Sequence, residues 1–127
     1  MANSQSLSAS NLRYLMVMKG LSENGRGVRC TDVATELGLS KPSVHNMMHT
    51  FRDMGIIRKD AYGASFFTQA GAELVQRYSK YVEALSGLLA GYFPQEAPLQ
   101  TAVYAMISEM PEQDLAVFLQ RAQGEMA

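Results

Sequence analysis

The sequence predicts a mainly α-helical fold with one two-stranded β-hairpin near the middle of the chain, and three observations lead to this prediction. Apolar residues recur at helical spacing along six segments. Serine, threonine, glycine and proline stand at the ends of those segments, where helices usually begin and end. Two short β-prone runs flank a turn at residues 60–63.

The composition is that of an ordinary globular protein. Of 127 residues, 47% are apolar and 18% are charged, which excludes wholesale disorder and fits one domain or two small helical subdomains. The single cysteine, Cys30, forms no internal disulfide and is interpreted as a small buried side chain. Residues 1–6 are predicted to be a polar tail without a leader, and the run at residues 14–18 is too short to span a bilayer. We therefore expect a cytoplasmic protein.

Three helices are predicted before the hairpin. The first covers residues 8–22. The second begins at Thr31 and ends at Gly38, because glycine adopts a left-handed backbone without steric cost. Ser40 caps the third helix, which ends at Gly55.

Two strands and three further helices follow. The strands are expected at residues 56–59 and 64–67, and Thr68 is the predicted N-cap of the next helix. The helices are expected at residues 69–90, 99–109 and 112–123. A helix, a tight turn, a second helix and a hairpin follow one another in the order of a winged helix-turn-helix. The sequence thus predicts such a domain at residues 1–68, with a two-stranded wing, and a helical dimerisation domain at residues 69–127.

The third helix carries the pattern with the clearest chemical meaning. On a helical wheel, its apolar residues fall within about 120° and are expected to form core. They are Val44, Met47, Met48, Phe51 and Met54. The opposite face is small or hydrogen-bonding, which lets a helix enter a major groove and reach base edges.

The residue types on that face suit base and phosphate contacts. Asn46 both donates and accepts, as bidentate contact with adenine requires, and His45 and His49 can donate to guanine or reach phosphate. Cations beside the face would bind phosphates without reading sequence. The candidate DNA-binding residues are Ser40, Lys41, Pro42, Ser43, His45, Asn46, His49, Arg52, Arg58 and Lys59.

Charge is distributed unevenly along the chain, although the net charge is only −1. Residues 1–59 hold eight basic and four acidic side chains, whereas residues 60–127 hold three basic and eight acidic ones. A phosphate backbone responds to the nearest face, so the basic half favours a nucleic-acid partner. A chance distribution of solvated charge is the alternative interpretation.

Other functions remain open at this point. His45 and His49 stand four residues apart and could share a metal ion, but the segment offers no carboxylate or cysteine to complete the site. Asn46 could be an ordinary solvated residue. We expect no enzyme, because no Ser-His-Asp arrangement, phosphate-binding glycine loop or paired carboxylates are evident. A winged-helix module for protein–protein assembly, or a small-molecule-sensing regulator, would share the fold.

Several segments together resemble the diphtheria toxin repressor family of iron- and manganese-dependent repressors. The resemblance covers residues 8–90 well and residues 99–123 in outline. The matching stretches are Leu12-Arg13-x-Leu15, Thr31-Asp-Val-Ala-x-x-Leu37, Ser40-Lys-Pro-Ser-Val44, Met54-Gly-Ile-Ile57 and Phe67-Thr-x-x-Gly71. The resemblance implies a DNA-binding first half and a helical dimerisation half. It places the base-reading positions at Ser40, Pro42, Ser43 and Asn46.

The metal site that this resemblance implies does not carry over. The residues at the expected ligand positions are Ser10, Arg13, Val103, Met106 and Ile107, and residues 80–82 lack the expected histidine. Iron(II) and manganese(II) require oxygen and imidazole ligands. We therefore predict no metal cofactor, and we expect Arg13 to pair with Glu73, Glu83 or Glu109 in its place.

The predicted function is sequence-specific regulation of transcription, and repression is favoured over activation. The active form is expected to be a homodimer bound to double-stranded DNA. Two-fold symmetry would present two recognition helices to a pseudo-palindromic operator, separated by about one turn of DNA or a multiple of it. No membrane partner is expected.

Overall fold

The computed structural model describes residues 7–124, so the predicted polar tail at residues 1–6 lies outside the described residues. Six helices and one antiparallel hairpin follow one another in the predicted order, which confirms the fold class. The elements are α1 (Ala9–Leu21), α2 (Cys30–Leu37), α3 (Lys41–Asp53), β1 (Ile57–Lys59), β2 (Ser65–Phe67), α4 (Gln69–Ala90), α5 (Leu99–Ser108) and α6 (Glu112–Gly124). None of the described helices is long and apolar enough to cross a membrane.

The chain forms two compact units. The first, here called the wing unit, is Tyr14–Gln76. The second, here called the helical unit, combines the described parts of Met1–Arg13 and Arg77–Ala127. The sequence predicts DNA binding for residues 1–68 and dimerisation for residues 69–127, and these two roles stay predictions.

The core of the wing unit is built on one face of α3. Val44, Met48 and Phe51 are buried there, and the ring of Phe51 meets the ring of Tyr14 edge to face at 6.2 Å between centroids. The sequence also predicts Met47 and Met54 as core residues, but both side chains are only half-buried. The spacing of the buried residues explains this, because positions i, i+4 and i+7 form a narrow stripe.

The hairpin is short and regular. Ile57 pairs with Phe67, Arg58 with Phe66 and Lys59 with Ser65. Val28 and Ser65 exchange two backbone hydrogen bonds of 2.8 Å, so the segment before α2 pairs with the outer side of β2. Cys30, predicted to be buried, is half-buried, because it begins α2 at the edge of this arrangement.

Thr68 links the end of the hairpin to the start of α4. Its hydroxyl oxygen accepts a bond of 2.9 Å from the Gly71 amide, which confirms the predicted N-cap. The same hydroxyl donates to the Gly55 carbonyl at 2.6 Å. A Cβ at position 71 would overlap the Ile56 carbonyl, so only glycine fits this helix against the chain before β1.

Within the helical unit, a cluster of polar side chains links α4 to α6. Glu112 on α6 accepts bonds from Arg77 Nε at 2.7 Å and from the Tyr81 hydroxyl at 2.9 Å. Burial works to raise the pKa of Glu112, but the two bonds and the charge of Arg77 outweigh it and lower that pKa. Burial, together with the bond to Glu112, raises the pKa of Tyr81 to about 12.

Tyr81 is expected to ionise late in an alkaline titration. Its neutral phenol stabilises the fold at a pH below the ordinary value near 10, and this contribution is lost as the pH rises to about 12. The difference in tyrosinate absorbance between the wild type and Tyr81→Phe should show a midpoint near 12. Glu112→Gln should lower that midpoint while leaving part of the shift, because burial is the larger cause. A midpoint at the ordinary value of about 10 would contradict this assignment.

Candidate nucleic-acid interface

The outward face of α3 is accessible along its length. Lys41, Pro42, Ser43, His45, Asn46 and His49 are all exposed, whereas the opposite side of the helix is buried core. The polar edge inferred from the helical wheel is therefore at the surface of the wing unit. Its use in binding DNA stays a prediction.

The start of α3 is fixed by two serines. The Ser40 hydroxyl oxygen accepts from the Ser43 amide at 3.3 Å, and the same hydroxyl donates to the Ser43 hydroxyl at 3.0 Å. Pro42 lies in the first turn, where a missing N–H costs nothing. Both serines are thus ordered at the surface, which lowers the conformational entropy that they would lose on contacting a ligand.

His49 and Arg52 form a pair one turn further along α3. An Nη of Arg52 lies 2.6 Å from Nδ1 of His49. Because a guanidinium only donates, Nδ1 is the acceptor and the proton of the neutral ring is assigned to Nε2. The Nε2–H group is then a donor suited to guanine or phosphate. Arg52, predicted as a phosphate contact, is half-buried and also positions this ring.

Asn46 stands between the two histidines on the exposed face. The Thr50 hydroxyl donates to its backbone carbonyl at 3.2 Å. The side-chain amide of Asn46 is exposed, and it carries both the donor and the acceptor that bidentate contact with adenine requires.

Two cations lie on the first strand of the wing. Arg58 and Lys59 are both exposed. The guanidinium carbon of Arg58 lies 4.9 Å above the ring centre of Phe66, its cross-strand partner. This contact holds the Arg58 side chain against the hairpin, while its charge remains at the surface.

Two further residues meet at the tip of the wing, and the sequence alone does not predict their contact. Nη1 of Arg29 donates to the carbonyl of Tyr62 at 3.1 Å, and the Tyr62 side chain is 83% exposed. No local sequence pattern links two residues that lie 33 positions apart. The sequence signal that points to Tyr62 is an aromatic residue in a turn.

The positions that would hold a metal by resemblance do not suit one. Val103 and Ile107 are 0% and 1% exposed and offer no donor atoms, and the hydroxyl of Tyr81 is engaged with Glu112. Arg13 would place a cation beside the ion. Within residues 7–124, no three His, Cys, Asp or Glu side chains group as metal ligands do. The side chains therefore do not fit iron(II) or manganese(II) at those positions.

The predicted ion pair of Arg13 is wrong for the described chain. Arg13 is exposed and has no carboxylate partner among residues 7–124. A surface pair contributes little, because water solvates both charges well. The ion pair within the helical unit is Arg77 with Glu112 instead.

The fold and this site define a winged helix-turn-helix domain followed by a helical segment. Residues 12–61 match the family described as the IclR helix-turn-helix domain, which is less than half of the chain. The match includes α2, α3 and β1, so sequence comparison and structure agree on the helix-turn-helix. Among curated proteins, no relative matches the chain.

Solved structures share the whole fold. The hypothetical protein SSo2273 from Sulfolobus solfataricus is 18% identical with a TM-score of 0.67, over 94% of this chain and 91% of that one. The manganese regulator SloR is 15% identical with a TM-score of 0.71, over 96% of this chain and 54% of that one. The metal-dependent transcriptional regulator MtsR is 19% identical with a TM-score of 0.72, over 96% and 54%.

These likenesses support the resemblance drawn from the sequence. At such identities they show a common fold. The chain spans about half the length of the two named regulators.

Proposed function

We propose that this protein is a transcriptional regulator, more in keeping with a repressor, that binds double-stranded DNA at specific sequences. The observation that carries the proposal is the exposed polar face of α3 between Lys41 and His49, backed by a buried apolar stripe. The names of two similar structures support it, since each is a regulator by its title. A regulator of this kind is not an enzyme, and it acts in the cytoplasm.

In the proposed complex, α3 lies in the major groove. Asn46 contacts adenine with its amide, and His49 contacts guanine or phosphate through Nε2–H. Lys41, Arg58 and Lys59 contact phosphates on either side of the groove, which fixes the register of the helix.

The proposed DNA-binding form is a homodimer. An open groove of the helical unit lies between α4 and α6, with Leu88 and Val117 exposed in it. The charged residues lining the groove are Lys80, Glu83, Asp114 and Arg121. Charged side chains of both signs line the groove together with exposed apolar ones, which supports the proposal that a second copy related by two-fold symmetry binds there. Such a dimer fits a pseudo-palindromic operator.

Salt dependence tests the proposal against the alternative of a protein–protein assembly module. Binding of the full chain to a labelled random-sequence duplex is measured by fluorescence anisotropy over a series of salt concentrations. The three phosphate-contacting cations, Lys41, Arg58 and Lys59, predict a slope of log affinity against log salt of about −2.7 for each bound protomer, and about twice that for the homodimer. No binding even at low salt, or binding that ignores salt, would contradict DNA recognition by this face.

The same titration tests metal independence. It is run after chelation, and then with added manganese(II) or iron(II). The apolar residues at the metal positions predict the same affinity in all three conditions, within about twofold. Stoichiometric metal uptake measured by calorimetry, together with a large change in DNA affinity, would show that a metal switch is present.

A further inference from the structure

The two histidines on the exposed face of α3 differ in the residue that follows each of them one turn along the helix. Three positions after His49 stands Arg52, and an Nη of its guanidinium lies 2.6 Å from Nδ1 of the imidazole. Three positions after His45 stands Met48, which is buried core and has no hydrogen-bond donor in its side chain. The bond from an arginine therefore distinguishes the His49 ring from the His45 ring.

The arginine of this pair is restrained before any ligand binds. Arg52 is half-buried, whereas His49 is exposed, so part of the arginine side chain packs against its neighbours while the imidazole faces solvent. Both residues belong to one continuous helix, which holds them at the i, i+3 spacing where side chains meet. A restrained side chain loses less conformational entropy on forming a hydrogen bond, so the pair exists in the free protein.

The bond from Arg52 decides where the neutral His49 ring carries its proton. A guanidinium donates and does not accept, so Nδ1 must offer its lone pair and the single ring proton stays on Nε2. An imidazole that lacks such a partner can carry the proton on either nitrogen, because the bond that one nitrogen makes sets the state of the other. Arg52 thus makes Nε2 of His49 a fixed donor.

A ring nitrogen that only donates distinguishes bases in the major groove. Guanine presents two neighbouring acceptors there, N7 and O6, whereas adenine presents one acceptor beside its 6-amino donor and cytosine presents its 4-amino donor. The Nε2–H group of His49 therefore favours guanine and is opposed by cytosine. The other tautomer would accept at Nε2, and it would favour the amino groups of adenine and cytosine.

From this pair we propose that Arg52 is a positioning residue that sets base specificity through His49, by holding the imidazole in the tautomer that reads guanine. The amide of Asn46, three positions before His49 on the same exposed face, reads an adenine in the same half-site. This inference rests on the proposed function. It deepens that function by giving Arg52 a role that its charge alone does not supply.

The first experiment observes the tautomer in the full chain without DNA. Nitrogen-15 chemical shifts of the imidazole rings are recorded at about pH 8, where a histidine is ordinarily neutral, because protonated and unprotonated ring nitrogens give well-separated signals. In the wild type, the proton of His49 should reside almost entirely on Nε2. Arg52→Met keeps an unbranched apolar side chain but removes the donor, and it should give a mixture of both tautomers at His49. The His45 signals should stay as they are in the wild type.

The second experiment measures which bases each variant accepts. The full chain selects an operator from a random duplex library, and each base pair of a half-site is then varied while the affinity is measured by fluorescence anisotropy. His49→Ala identifies the position that the imidazole reads, because the preference disappears there. At this position the wild type should prefer guanine to cytosine about tenfold or more. Arg52→Met should reduce this ratio to about threefold or less, and Arg52→Lys, which still donates, should keep most of it.

Arg58→Met is the matched control for the loss of an arginine charge. Arg58 also belongs to the wing unit, but its guanidinium lies against the ring of Phe66 rather than a histidine. The control should weaken all duplexes alike and leave the guanine preference unchanged, because phosphate contacts do not read sequence. If Arg52→Met behaves in the same way, Arg52 contributes charge only and the proposal is wrong.

The outcomes separate this inference from the proposed function. If the wild type binds DNA but its His49 ring shows comparable amounts of both tautomers, or if no guanine preference depends on His49, the role of Arg52 is wrong and the proposed function stands. If the wild type binds no duplex, the proposed function is wrong, and this inference with it. Thermal melting of each variant confirms that the fold is retained.

Discussion

Asn46→Ala is expected to lower the affinity for the specific operator about tenfold or more, while the affinity for unrelated duplexes changes little. The exposed amide of Asn46 is the bidentate group on the α3 face, and one such contact discriminates against the wrong base by about 1–3 kcal/mol. Contacts to phosphate are the same on every sequence, so they remain. The measurement is the ratio of the two affinities, on an operator selected from a random duplex library.

Two control variants make this result specific. Lys59→Ala removes an exposed cation and should weaken specific and unrelated duplexes alike. Gln120→Ala removes an exposed amide on α6 and should change neither affinity. If Asn46→Ala weakens both duplexes equally, Asn46 does not read a base.

Gly71→Ala is expected to reduce the free energy of unfolding by about 3 kcal/mol. A methyl group at this position overlaps the Ile56 carbonyl, which belongs to backbone and cannot rotate away. The same carbonyl accepts from the Thr68 amide at 3.0 Å, so a shift disturbs the cap of α4 as well. Chemical denaturation of both proteins measures the difference.

Gly20→Ala provides the control. Gly20 lies in α1, in the wing unit like Gly71, and a Cβ there meets no atom within 4 Å. Alanine should leave the stability unchanged or raise it by up to about 1 kcal/mol, because it favours helix. Equal effects of the two substitutions would mean that the close approach at Gly71 does not limit stability.

The order of elements could be predicted because each one has local signals. Ser40 and Thr68 cap helices through bonds to residues three positions further along, and Gly38 ends α2 with a φ of 67°. The exposed face of α3 followed from periodicity alone, since Val44, Met48 and Phe51 are the buried residues. Periodicity does not give the width of the buried stripe, so the sequence does not show that Met47 and Met54 are only half-buried.

Contacts between distant parts of the chain could not be predicted from the sequence. Arg77 pairs with Glu112 across 35 residues, and Arg29 reaches Tyr62 across 33. Any exposed arginine has several possible carboxylates, and for this reason the expected pair of Arg13 was wrong. The need for glycine at position 71 likewise follows from the path of the chain at Ile56, which local propensity does not reveal.

Amide chemical-shift mapping during a titration with operator DNA tests the central claim most directly. If the polar face of α3 is the DNA-binding surface, the largest shifts will fall on residues 40–52, with a second group at residues 58–63. Residues of α5 and of the Arg77–Glu112 cluster will shift little. Shifts concentrated in the helical unit, with the amides of Ser43, Asn46 and His49 unchanged, would contradict the account.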